Sequence, residues 1–305
     1  MRNGPEWRVT VVGGTGFIGR RLVERLVHRG ATVRIVARHA EDGGGAIPQL
    51  ERASGSIEAS STIERAVDGA WAVVNLVGTT AAKSAHEFYS LHRDVPRRLA
   101  EAARGAGVTR FVHVSAMGIA LDAPSIADRS KAAGEIAVRE AFPDANLVRP
   151  ALVYGPGDHF YTRFAELVRH APAIPLIGGG HTRFQPMHVD DLAEAIARVL
   201  EHPGTAGRAF ELGASEIFSF RELIERLCRA IGRRPWLVSI PFPLAEAGAY
   251  LTQWLPQAPL TVDQVRLLKT DKVIRHPQSG PAALGIRPRA LESFLSELGE
   301  QYSRR

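Results

Sequence analysis

Cysteine is almost absent. The 305 residues hold one, Cys228, so no disulfide closes within the chain and a disulfide-stapled secreted scaffold is excluded. Cys228 sits among Phe220, Leu223, Ile224, Leu227 and Ile231 at helical spacing, which marks it as buried filler. Long apolar runs are missing too. The stretch 236–262 carries Glu246 as its only charge, but prolines at 241, 243, 256 and 259 confine any helix to about 244–255. That is short of the ~20 residues that span a bilayer. The opening "MRNGPEWRVTVVGG" has no apolar core with a cleavage site, so no signal peptide is expected and the chain reads as cytoplasmic. Zinc, helix-turn-helix and aromatic-interleaved basic patterns are lacking, so the net charge of +6 does not point to nucleic acid. No spacing suits a metal.

The most informative stretch is "RVTVVGGTGFIGRRLVERLVHRG". An apolar run ends at glycine, and an amphipathic helix follows from Phe17. Gly13, Gly16 and Gly19 have the spacing of a phosphate-binding turn. The first lets the chain reverse, the second lets backbone approach a pyrophosphate, and the third lets helix pack on strand. Free N–H groups at the helix start favour an anion. Thr15, Phe17 and Ile18 complete the turn. The next strand, "ATVRIVAR", ends at Arg38, where an acidic residue would bind a ribose 2′-hydroxyl; arginine suits a 2′-phosphate, so NADP(H) is favoured over NAD(H). Arg20 is placed to assist.

Strand and helix patterns then alternate: "AWAVVNLVG", "SLHRDVPRRLAEAARGAGV", "RFVHVSAMG", a helix starting near Asp128, and "NLVRPALVYGPG". Near-continuous apolar strands between helices imply a parallel sheet covered on both faces. The expected fold is α/β, a Rossmann-type doubly wound parallel sheet with a smaller carboxyl-terminal substrate-side lobe. The nucleotide domain is assigned to 1–154 with 186–213 returning to it, and the lobe to 155–185 and 214–305. Proline- and glycine-rich "APAIPLIGGG" and "IPFPLAEAG" read as lobe loops, and "HAEDGGGAIP" as a flexible loop.

"GGTGFIG", "NLVG", "HVSAMG", "RSKAAGE", "RPALVYGPG" and "FQPMHVDDLAEAI", in this order, resemble the extended and atypical branch of the short-chain dehydrogenase/reductase superfamily. Within it, "PLIGGGHTRFQPMHVDDLA" and "PLTVDQVRLLKTDKVI" are similar to the group of the 39-kDa accessory subunit of respiratory complex I. The resemblance implies a cofactor site that also takes in Ser56, Leu76, Val77, Gly78 and Pro150. It implies that Ser115 matches a carbonyl-orienting serine and Lys131 a lysine that binds nicotinamide ribose. In active members a tyrosine four residues before the lysine is the general acid/base; Ala127 stands there, and a positioned acid/base contributes about 10²–10⁴-fold in rate. Ser56 replaces an aspartate that contacts adenine in relatives.

Several other groups read as structural: Tyr154 as a wall residue, His113 as a core histidine, His188 as a strand-to-helix joint, and Asp190 and Asp191 as N-cap and first-turn acid. The stretch 236–262, with Arg233 and Arg234 before it and Arg266, Lys269 and Lys272 after, is either a roof over the cleft or a face for an anionic membrane surface or respiratory membrane complex. Three functions stay open. One is an NADP(H)-binding protein of the complex I accessory type, structural or redox-sensing, with little turnover. Another is a reductase or epimerase on a small or quinone-like substrate using Lys131 and Ser115. The third is a scaffold without nucleotide.

Overall fold

A computed structural model describes residues 7–40, 48–252 and 260–303. The expectations for the first six residues, for most of the loop after His39 and for Pro256 and Pro259 lie outside the described residues.

Six strands build the first half: β1 (Arg8–Val12), β2 (Thr32–Ala37), β3 (Leu50–Ser54), β4 (Ala72–Asn75), β5 (Arg110–Val114) and β6 (Asn146–Pro150). The helices between them are α1 (Phe17–His28), α2 (Ser60–Val67), α3 (Ala85–Tyr89), α4 (Val95–Gly105) and α5 (Ile126–Ala141). The chain continues through β7 (Val153–Tyr154), α6 (Phe160–His170), β8 (Ala173–Ile177), β9 (Arg183–Phe184), β10 (Met187–His188), α7 (Val189–Glu201), β11 (Ala209–Leu212) and β12 (Phe218–Ser219). It ends in α8 (Phe220–Ile231), β13 (Trp236–Ile240), α9 (Phe242–Thr252), α10 (Val262–Leu267) and α11 (Leu291–Ser303).

Seven strands form one parallel sheet in the order β11-β6-β5-β4-β1-β2-β3. The order reverses between β1 and β4, and ligands of such sheets bind outside the carboxyl ends at that reversal. The strands are apolar on both faces because both are covered. Val9, Val11, Leu22, Leu26, Ile196 and Leu200 join the sheet to α1 and α7 on one side. Val12, Val73, Leu99, Phe111, Val138 and Leu147 join it to α2, α4 and α5 on the other. Leu284 and Ile286 of the carboxyl-terminal segment also pack into the first cluster. Half-buried Arg149 clamps α5 and β6 together by a two-pronged bond to buried Glu135 at 2.6 to 3.2 Å.

The smaller core gathers α6, α8 and α11 around Tyr154, Tyr161, Phe220 and Phe294, with Cys228 buried among them as expected. The two proline- and glycine-rich segments are not loops: the first carries β8, and the second closes β13 at Ile240 and then opens α9 at Phe242. β8 and β13 pair in parallel over five residues as a separate ribbon, Trp236 opposite Ala173 and Ile240 opposite Ile177. Each has one partner strand, and a strand with a free edge accommodates Pro175.

The helix carrying Lys131 begins at Ile126, two residues before the expected start, because Ser125 caps it by accepting the N–H of Asp128. The helix expected over "SLHRDVPRRLAEAARGAGV" contains a π-helical turn, Ser90–Asp94, leading into α4. Gly134 is the reason α5 lies directly on that turn: a Cβ there would stand 1.8 Å from the His92 carbonyl oxygen. Gly134→Ala must push the two elements apart, at a cost of about 3 kcal/mol. Urea denaturation checks this, and a variant as stable as the parent would mean the contact is not made.

Candidate functional site

The glycine turn has the geometry its spacing implies. Gly13 has φ +85°, a left-handed conformation, and a Cβ on it would touch the Leu76 backbone at 3.4 Å. A Cβ on Gly19 would overlap the Gly13 carbonyl oxygen at 2.3 Å, so only glycine lets α1 start this close to the turn. Exposed Gly16 is the N-cap, and α1 has neither a side-chain cap nor an acidic residue in its first turn. Bare N–H groups, a positive dipole end and a glycine floor fit a pyrophosphate. Arg20 donates from Nε to the Thr15 carbonyl at 2.8 Å, which holds it on the turn. Phe17 and Ile18, the first helical residues, are partly buried. Behind the turn lies a cavity of about 530 Å³ lined by Gly14, Thr15, Arg20, Ile35, Ala40 and Arg52.

The other expected residues lie at the same carboxyl edge. Exposed Arg38 and Ser56 follow β2 and β3, side by side because Gly55 donates its N–H to Ala37 at 3.0 Å. Leu76, Val77 and Gly78 follow β4, where the buried Asn75 amide oxygen accepts the Val77 N–H at 3.1 Å. Ser115 is tied to β6 through its N–H to the Val148 carbonyl at 2.8 Å, and Met117 bonds the Pro150 carbonyl at 2.9 Å. Ser115 Oγ is buried with no partner among the described residues. A buried hydroxyl left unpaired costs about 1–3 kcal/mol, a cost that an arriving ligand removes.

Around Lys131 the structure adds residues that sequence reasoning passed over. His92 packs beside Gly78, its ring 3.7 Å from where a Cβ would stand. His92 Nε2 accepts the Thr79 N–H at 3.0 Å, so its proton sits on Nδ1 and goes to Ser130 Oγ at 2.8 Å. Ser130 donates in turn to the Ala127 carbonyl at 2.9 Å. Burial, with repulsion from Lys131 and His113, holds His92 down to about 3. His113, a core residue as expected, accepts from Asn75 Nδ2 at 3.1 Å and is pushed down to about 4, first by burial. Both imidazoles are therefore neutral. Burial also pulls the half-buried Lys131 ammonium below its ordinary value; Asp128 opposes the shift and Lys272 adds to it.

Ala127 is buried. Its N–H is accepted by Asp263 of α10 at 3.1 Å, and the other Asp263 oxygen accepts Ile126 N–H at 2.6 Å. Lys272 forms a buried ion pair with Asp128 at 2.7 Å. Both partners come from the segment "PLTVDQVRLLKTDKVI", whose only sequence signal was its resemblance to the complex I group. A Cβ on Gly118 would lie 2.5 Å from the Asp271 carbonyl, so this segment also roofs the loop after β5.

The remaining candidates are structural. Tyr154 is buried and donates to the Arg289 carbonyl at 3.1 Å, and burial pushes its hydroxyl up. His188, not Asp190, is the N-cap of α7: its Nδ1 accepts the Asp190 N–H at 3.2 Å because the strand-to-helix bend places the ring there. Asp190 and Asp191 are first-turn acids that also hold Arg289.

The two buried, strongly depressed histidines, His92 and His113, fix an acid limit. An unfolded chain takes up their protons near pH 6.5, while the folded one refuses them until about 3 and 4. Stability therefore falls as pH drops from 7 toward 4, by roughly 2 kcal/mol per histidine at pH 5. Urea denaturation at pH 7 and pH 5 measures the loss, and His92→Gln removes about half of what this pair of histidines contributes; a variant with the parent's pH dependence contradicts the assignment.

Comparison with known proteins agrees with this geometry. Residues 9–213 match the model of the NAD dependent epimerase/dehydratase family. NADH dehydrogenase [ubiquinone] 1 alpha subcomplex subunit 9, mitochondrial, of Arabidopsis thaliana is 32% identical, over 96% of this chain and 77% of that protein. The ceramide reductase of Caulobacter vibrioides is 31% identical, over 91% of this chain and 88% of its own. Among solved structures, DesIV, a dTDP-glucose 4,6-dehydratase from Streptomyces venezuelae with NAD and TYD bound, superposes with a TM-score of 0.75 at 22% identity, covering 98% of this chain and 97% of that one. Among the described residues no helix is long and apolar enough to cross a membrane. Sheet order, glycine turn and relatives agree: the chain belongs to the NAD dependent epimerase/dehydratase family, within the short-chain dehydrogenase/reductase superfamily.

Proposed function

We propose that this protein holds NADP(H) in the manner of a complex I accessory subunit, structurally or as a redox sensor, with little or no dehydrogenase turnover. The observation that carries the reading is Ala127: a buried methyl group stands one turn before Lys131, and no hydroxyl faces the lysine from there. Gly13, Thr15, Gly16, Phe17, Ile18 and Gly19 take the pyrophosphate. Arg38 takes the 2′-phosphate with Arg20 beside it, and Ser56, Leu76, Val77 and Gly78 line the adenosine side. Lys131 bonds the nicotinamide ribose, and Pro150 and Ser115 border the nicotinamide. The attachment is peripheral, through 236–262, to a respiratory membrane complex or an anionic membrane surface. Similarity to the subunit 9 proteins supports this placement.

A second reading is favoured by two observations: the lowered Lys131 ammonium and the similarity to a ceramide reductase. Here the protein is an NADPH-dependent reductase or epimerase acting on a small or quinone-like substrate, or on a carbonyl carried by a lipid. Bound NADPH supplies a hydride. Lys131 gives its proton to the substrate oxygen, Ser115 Oγ donates a hydrogen bond to that oxygen, and water restores the lysine proton.

Denaturing the purified protein and assaying the supernatant for nucleotide tests the holding reading, with NADPH the expected release; a scaffold releases none. Arg38→Glu lowers affinity for NADPH by about tenfold or more while sparing NADH, the scale of a lost charge-assisted bond; equal losses for both refute the 2′-phosphate role. Turnover separates the two readings. Wild type is expected to be inactive and Ala127→Tyr to gain activity, whereas wild-type turnover abolished by Lys131→Ala establishes the reductase.

A further inference from the structure

The described residues contain eight strongly exposed large hydrophobic side chains, and five of them fall within sixteen residues. Trp236 is 78% exposed, Val238 47%, Leu244 65%, Tyr250 60% and Leu251 76%. Trp236 and Val238 alternate along β13 and so share a face of the ribbon, with Ala173 and Pro175 opposite them. The only buried residue of α9 is Ala249.

Charge is arranged to suit this exposure. Glu246, the only charge of α9, is turned inward to Arg266 at 3.2 Å and to Lys269, both on the α10 side. The outward positions are thus free of charge. The parallel register brings both strand starts to one end of the ribbon, fixed by the Trp236 N–H bonded to the Pro172 carbonyl at 2.9 Å. Exposed Arg233 and Arg234 lie at that end, as does Arg169 near the close of α6. Cations at one end, an exposed indole next to them and aliphatic side chains beyond are the order of groups across a bilayer surface: headgroup, interface, acyl chains.

We propose that the β8–β13 ribbon and α9 form a docking face for an anionic bilayer, with Trp236, Leu244 and Leu251 entering the interface and Arg233 and Arg234 meeting lipid phosphates. The proposal deepens the peripheral attachment in the functional reading and rests on it. It commits to lipid rather than to a protein subunit because the cations are grouped at one end of a charge-free apolar face. Such a helix of eleven residues lies on a membrane and does not span it.

Flotation of the full chain with phosphatidylcholine vesicles, with and without phosphatidylglycerol, tests it. Binding is expected with the anionic vesicles and falls as salt rises. Leu244→Glu and Leu251→Glu each lower partition by about tenfold or more, and the Arg233→Glu, Arg234→Glu double variant removes the salt sensitivity. All these positions are exposed, so nucleotide release is expected to stay at the parental level and reports folding independently. Failure of wild type to float, or flotation unchanged in the leucine variants, overturns the proposal. So does a concentration-dependent dimer in sedimentation, or capture of a membrane-complex protein without lipid, that the leucine variants abolish. Nucleotide release assayed on the same preparation keeps failure here separate from failure of the nucleotide reading.

Discussion

The first turn of α5 is where the two parts of the molecule depend on each other. Its three leading N–H groups would be unsatisfied in any helix. Here Asp263 takes two of them and Ser125 the third. One cap is local and the other comes from 137 residues away, so α5 has its start fixed only when the carboxyl-terminal segment is docked. The Asp128–Lys272 pair repeats the constraint one residue further on. Such a buried pair adds little net stability, but loss of either partner leaves a buried charge uncompensated. Lys131 lies within this clamp, and its desolvation follows from it.

The starts of α1 and α5 differ in a way that orders the cleft. At α1 the backbone groups are left bare over a floor where glycine alone fits. At α5 equivalent groups are all consumed by protein oxygens. Of these two helix starts, only the one at the glycine turn is open to an anion, and the surroundings of α5 offer a lysine, an unpaired serine hydroxyl and two neutral imidazoles. A dinucleotide has this same polarity, charged in the middle and carrying a less charged ring beyond.

How far the sequence speaks for itself follows from interaction range. The glycine turn, the strand ends and the helix beginning at Phe17 depend on neighbours a few residues apart, and periodicity reveals them. Ser115, Lys131 and the neutral roles of His113 and Tyr154 come next, since their strands and helix are strongly patterned. Asp263 and Lys272 act on residues more than 130 positions earlier, and nothing local in "TVDQVRLLKTDK" announces a partner. The π turn at Ser90–Asp94 is equally silent, because it exists to let His92 meet Gly134 and Ser130. The ribbon of β8 and β13 was hidden by Pro175 within β8, a residue that local rules count against strands and an isolated strand pair tolerates.

On the holding reading, Ala127 in place of an acid/base tyrosine removes more than a proton donor. A tyrosine beside a lysine supplies partial negative charge as it ionises, and that charge suits an oxidised, positively charged nicotinamide. Here the charged groups grouped with Lys131 are Asp128 and Lys272, and these two neutralise each other. The histidines contribute none. What remains is whatever positive charge Lys131 keeps, in a site desolvated enough for that charge to be felt. On the holding reading, such a field disfavours a pyridinium and favours the neutral reduced ring. On that same reading, the methyl group at Ala127 leaves the site a preference between the two redox states of its nucleotide, which is the property a sensor requires.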